Sequence, residues 1–282
     1  MPSKPSNLSL ISKVYSLTIQ SFQKNPKIYL PFAIFALIEF MALMLLYLAP
    51  RPPLRALFGP PIASIWGEKF LHYPANFFLL PKLAYYSRMG LSVVFSSLLT
   101  GLAVAMTYKR PLNSAYKKYV SLFLIVLIMT VIVFLGVKVI TASLLKYFYA
   151  GHSKLLFWGP DMWFGPILTV LNFVVAILVQ APFIYAIPIL IAGDQKFLKA
   201  IFHSFLVFKR YFVVSLFLVG LPMLFYIPVV FLYSNTAFLI DKFFPEVMLL
   251  VAILSVIVNS MVIDPLMTIS TALLYSLEKE KI

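Results

Sequence analysis

Cysteine is absent from the 282 residues, only 9 residues are acidic, 3 are histidine and 10 are glycine. Without cysteine there are no disulfides, thiolate metal sites, iron–sulfur clusters or cysteine nucleophiles. The sparse glycines form no phosphate-binding loop, and neither an H-E-x-x-H nor a G-x-S-x-G arrangement occurs. An intramembrane aspartyl enzyme needs two carboxylates face to face, whereas Glu39 and Asp264 are expected at different depths. The chain therefore reads as non-enzymatic, with no cofactor and no metal.

What is abundant is apolar surface. Hydrophobic residues make up 62% of the chain against 11% charged, with a mean hydropathy of +0.97. That is too little polar surface to cover a water-soluble globule, and it predicts an integral membrane protein. The net charge of +14 comes in short basic clusters between long apolar runs. Such clusters fit anionic lipid headgroups as partners and no nucleic acid. Residues 1–27 are polar or amphipathic, so no cleavable signal is expected there and the N-terminus should be retained.

A helix needs about 20 apolar residues to cross a hydrocarbon core of about 30 Å. On that ruler six crossings are predicted, near 28–48, 89–107, 119–140, 163–191, 211–233 and 247–274. The runs are continuous rather than alternating, which excludes a membrane barrel. Lys and Arg favour the side of the N-terminus, so both termini are expected in the cytoplasm. This count leaves Arg88 on the outer flank, at the end of a long loop, 49–88. With Trp66, Tyr73, Phe77, Phe78, Tyr85 and Tyr86 among basic residues and prolines, that loop should lie along the outer headgroups.

A weak internal repeat divides the chain. After an N-terminal amphipathic segment, 1–27, come a first hairpin (28–107), a second unit (108–191) and a third (192–282). The fold class is thus an all-α membrane protein with six transmembrane helices in three hairpin units, each preceded by a cytoplasmic amphipathic interface helix. In the third such helix Phe197, Ile201, Phe205, Phe208 and Phe212 share one face, and Lys196, Lys199, His203 and Arg210 another. Lys117, Lys118, Lys196, Lys199, Lys209 and Arg210 are the expected headgroup contacts. The fourth and sixth spans are long, and Pro182 and Pro265 should kink them.

Few polar residues sit deep in these spans. Asp264 followed by Pro265 fits either a helix-break cap, the carboxylate accepting a backbone N–H, or an ion or proton site of the kind broken helices supply. Glu39 falls mid-span, where an ionised carboxylate is expensive. Its expected neighbours at that depth, Ser96, Ser97, Thr100, Thr130, Asn172 and Asn259, include no cation. It should therefore be neutral, as interhelical polar glue or as a protonatable group in a midplane set with Asn172 and Asn259. Glu68 and His72 have a spacing that two metal ligands could share, with His152 or Asp161 as conceivable additions, but nothing fixes the geometry.

The segments "SFQKNPKIYLPFAIF", "AIFHSFLVFKRYFVV" and "IDPLMTISTALLYSLEKE" resemble a loose group of bacterial six-span proteins. That group includes the YciC-like inner-membrane proteins and the membrane domain fused to some glycerophosphodiester phosphodiesterases. The resemblance implies a bacterial inner-membrane bundle with lipid-facing amphipathic helices and no catalytic residues to carry over. Two functions stand: an accessory subunit of a membrane complex or lipid-organising protein that works through its surface, with possible protein partners, or a small transporter or permease component for a lipid or amphipathic solute.

Overall fold

In the computed structural model the described residues are 7–151, 160–193 and 195–279, less the side chains of 144–145, 147–151 and 160–169. Among them the chain is helical throughout, without strands. The order is α1 (Asn7–Lys24), α2 (Leu30–Leu48), α3 (Leu54–Trp66), α4 (Asn76–Leu91), α5 (Ser97–Thr107), α6 (Asn113–Lys117), α7 (Tyr119–Gly151) and α8 (Pro160–Gln180). It continues with α9 (Ala186–Ala192), α10 (Phe197–Arg210), α11 (Phe212–Leu224), α12 (Ile227–Ser234), α13 (Thr236–Lys242), α14 (Val247–Ile257) and α15 (Asp264–Lys279).

Four of the described helices are long and apolar enough to cross a membrane: Pro26–Leu48, Asn76–Thr107, Tyr119–Ser143 and Val247–Lys279. A fifth arises if α10 and α11, bent by 99° at Tyr211, count as one broken span. The second crossing differs from the sequence expectation. Residues 49–88 are not an extended loop: they fold into α3, a 3₁₀ turn at Glu68–Leu71, and α4. α4 runs through a wide π turn at Ser92–Ser96 into α5 as one continuous helix. Its apolar residues Phe77, Leu80 and Ala84 recur at helical spacing on the packed side, and Arg88 is next in the same series. Arg88 is therefore inside the span rather than at its outer end.

The kinks at the two prolines take different forms. At Pro182 the helix stops: α8 ends at Gln180 and a turn intervenes before α9. At Pro265 the helix persists, but the turn before it, Val258–Ile263, widens to π geometry. The ring of Pro265 would clash with the carbonyl of Met261, four residues earlier, and Met261 lies in the widened turn, where the ladder slips by one residue.

Of the four apolar cores among the described residues, the two largest gather most of the helices. One gathers Leu43, Phe77, Leu80, Leu239, Met248 and Ala252. The other is built around Tyr185, Ile189, Leu190, Val207, Leu218 and Leu274, with Val14 of α1 packed in it. α1 lays Leu10, Ile11, Val14, Thr18 and Phe22 inward and packs against α11 and α15. On α10 the buried stripe is Ala200, Ser204 and Val207, and Phe197, Ile201 and Phe208 of the expected apolar face pack beside it, partly buried. Leu198, Phe202, Phe205 and Leu206 are exposed. Small residues let α10 lie close against the bundle, and these four large ones turn outward. α6, where the sequence predicts the second interface helix, has only five residues.

Candidate functional site

α2 turns Phe32, Phe35, Glu39 and Leu43 inward at helical spacing, so Glu39 is carried on the stripe that packs against its neighbours. Its side chain is 2% exposed. α2 packs against α4, α5, α14 and the Val258–Ile263 turn. From α4, Arg88 reaches it: Nη1 donates to Glu39 Oε2 at 2.8 Å and to Ser260 Oγ at 3.1 Å. The other nitrogen, Nη2, donates to Asp264 Oδ2 at 3.0 Å. Ser260 Oγ in turn donates to Glu39 Oε2. The guanidinium also lies 5.9 Å from the ring centre of Phe35.

This overturns the expectation that Glu39 has no cationic neighbour. The planar guanidinium presents several donors in a fixed fork, so one arginine can hold two carboxylates at once, as a lysine ammonium cannot with the same geometry. Asp264 is likewise not a helix cap: its backbone is helical (φ −59°, ψ −45°) and continuous with both flanking turns. Its carboxylate binds Arg88 instead. In the second and last crossings the charged residue lies between residues of the two largest cores, Ala84 before and Leu102 after Arg88, Ala252 before and Ala272 after Asp264, while Glu39 lies one turn before Leu43. Two of the three also flank a distortion in their own helix: Arg88 precedes the π turn of its span, and Asp264 follows the other. Such turns recur at functional sites because they re-aim side chains without ending the helix.

Two cavities meet at Arg88. The larger, about 290 Å³, is a groove between crossings. One wall is polar, with Ser92, Ser96 and Thr100 at four-residue intervals on the second span, and Asn259, Asp264, Thr268 and Thr271 on the last. α7 lines the groove mainly with apolar residues, Ile125, Val126, Met129, Val133 and Phe134, together with Thr130. The smaller cavity, about 50 Å³, lies behind Arg88 and is lined by Glu39, Ser87, Tyr233 and Ser255, among others. Tyr85, Arg88 and Tyr226 line both. Tyr226 and Ser255 share a hydrogen bond of 2.9 Å, and Asn259 Nδ2 donates to Ser255 Oγ at 3.4 Å.

The other sequence candidates fall elsewhere. Asn172 accepts a hydrogen bond from Thr141 Oγ1 of α7 at 2.9 Å and lines neither cavity, so the expected set of Glu39, Asn172 and Asn259 is not brought together. Pro265 is buried behind Asp264. Arg210 pairs with Glu278 at 2.9 Å, and Lys118 Nζ donates to the carbonyl of Leu190 at 2.8 Å. Those two therefore also serve contacts within the bundle. Lys117 closes α6, Lys196 precedes α10, and Lys199 and Lys209 are exposed on it. Glu68 lies in a 3₁₀ turn and His72 in extended backbone, so their spacing does not place them on one α-helical face. The side chains of His152 and Asp161 lie outside the described residues. Among the described residues no three His, Asp or Glu side chains gather as metal ligands would.

Arg88 is the residue that reading the sequence missed. The signal was its position in the helical series Phe77, Leu80, Ala84, Arg88, obscured because Pro81, Lys82 and the tyrosines lower the local hydropathy. No protein-family model, curated protein or solved structure matches the chain.

Proposed function

We propose that the protein is a transporter or permease component that binds an amphipathic solute or lipid in the groove between its crossings. The observation that carries this is the groove itself: polar side chains that include the Arg88–Asp264 pair line it together with a mostly apolar stretch of α7. An amphipathic molecule has that same two-sided chemistry, and apolar pockets with a few convergent polar groups are the usual form of a small-molecule site. Ionisable groups inside a membrane are expensive, and they mark solute and ion pathways when they face a cavity. The bundle that supports this site is read as six crossings in three hairpin units, with cytoplasmic termini in a bacterial inner membrane.

A second reading has its own support. The exposed apolar face of α10, with Leu198 and Phe202 beside Lys199, suits a helix lying in the headgroup zone. There Lys196, Lys199 and Lys209 would contact anionic lipids, and the same surface would serve an accessory subunit or lipid-organising protein.

Extraction into native lipid discs followed by mass spectrometry tests the first reading against the second. The expected result is a retained amphipathic molecule that is lost when Thr268→Trp fills the groove. Retention of the same molecules by wild type and Thr268→Trp, together with a stoichiometric protein partner, would instead support the surface reading.

A further inference from the structure

Resting on the groove reading, we infer that the Glu39–Arg88–Asp264 cluster is an exchange site that holds either one proton or the positively charged head of an amphipathic cation. With all three groups ionised, two carboxylates face one guanidinium, an excess of one negative charge in a low-dielectric setting. One positive charge is needed to balance it. Glu39 offers the place for a proton: its Oε1 is buried without a hydrogen-bond partner, on a side chain 2% exposed that lines the small cavity. Asp264 offers the place for a cation, because its carboxylate opens onto the groove.

Arg88 makes the two occupancies exclusive. It contacts both carboxylates at once, at 2.8 and 3.0 Å. With Glu39 protonated, Arg88 and Asp264 form a neutral pair. When a cation enters the groove and takes Asp264, Arg88 balances Glu39, whose proton leaves to water; the site then holds two neutral pairs. One positive charge enters and one leaves, so the total is unchanged. The other titratable groups around the pair are Tyr85, Tyr226 and Tyr233. All three line the small cavity, and Tyr85 and Tyr226 also line the groove, where aromatic rings favour an organic cation.

The test uses the full chain in lipid discs, with tetraphenylphosphonium as the probe cation and a neutral amphiphile of similar size as control. The expected result is one cation bound per chain with about one proton released, read from the dependence of binding heat on the buffer. Affinity should rise about tenfold per pH unit while the site is protonated, the slope set by exchange of one proton for one cation. Glu39→Gln should abolish proton release and flatten the pH dependence; Asp264→Asn should lose cation binding, with thermal unfolding confirming that both variants are folded. Equal binding of cation and neutral control, or cation binding without proton release, would overturn the exchange site while leaving the groove reading intact. Binding of neither molecule would overturn both.

Discussion

Arg88 and Asp264, 176 positions apart in the chain, meet at 3.0 Å at the wall of a groove between two crossings. Each stands beside a widened turn in its own helix. The pair joins the second and last crossings, and through Arg88 it also joins the first, which carries Glu39.

Removing Arg88 alone should be severe. Arg88→Leu leaves Glu39 and Asp264 without their shared counter-ion, and breaking a buried pair by removing one partner costs about 3–5 kcal/mol. Denaturant unfolding in detergent micelles should show a loss of that order. Arg88→Lys should fall between, because an ammonium cannot reproduce the bidentate fork.

The loss should be recoverable without restoring charge. In a triple variant, Glu39→Gln with Arg88→Met and Asp264→Asn, no ion is stranded, and buried ionic clusters replaced by neutral residues of similar volume are often as stable as before. Unfolding close to that of wild type is the expected outcome. A triple variant as unstable as Arg88→Leu would mean that the arginine acts through its packing against Phe35 rather than its charge.

At the membrane surface, Lys196, Lys199 and Lys209 should act differently from Arg210. Neutralising the three lysines should weaken association with anionic vesicles by about 1 kcal/mol per charge, read by flotation at low salt, with little effect on unfolding. Arg210→Ala should destabilise the fold more than any single lysine change, because it leaves Glu278, 6% exposed, without its partner.

Gly101 should resist substitution. A Cβ there would lie 2.6 Å from a methyl carbon of Leu122, which is itself fully buried. Gly101→Ala is therefore expected to cost about 1–3 kcal/mol through overpacking between α5 and α7, measurable by thermal unfolding, and Leu122→Ala in the same chain should relieve part of it.

Much of this was legible in the chain. The long apolar runs give the helical membrane architecture, Pro182 and Pro265 mark the helix irregularities, and the depth of Glu39 singles it out. Hydropathy counts could not place Arg88, because a span that carries Pro81, Lys82 and Arg88 in its first half looks like a loop until Glu39 and Asp264 are seen to balance the arginine. Asp264 was misread for the opposite reason. Asp-Pro is a good local capping pair, but a π turn let the helix continue and freed the carboxylate for a partner 176 positions away. Both errors are cases of tertiary charge pairing overriding a local signal.

The most direct measurement is thiol labelling, for which the chain is prepared by having no native cysteine. Single cysteines at Ser96 and Thr268, on the polar wall of the groove, are compared with one at Val94, which faces outward from the same span. In membrane vesicles a water-soluble maleimide should label positions 96 and 268 from one side and leave 94 unlabelled, and bound amphiphile should slow the labelling. Labelling of all three alike, or of neither groove position from either side, would contradict a solute groove built on the Glu39–Arg88–Asp264 cluster.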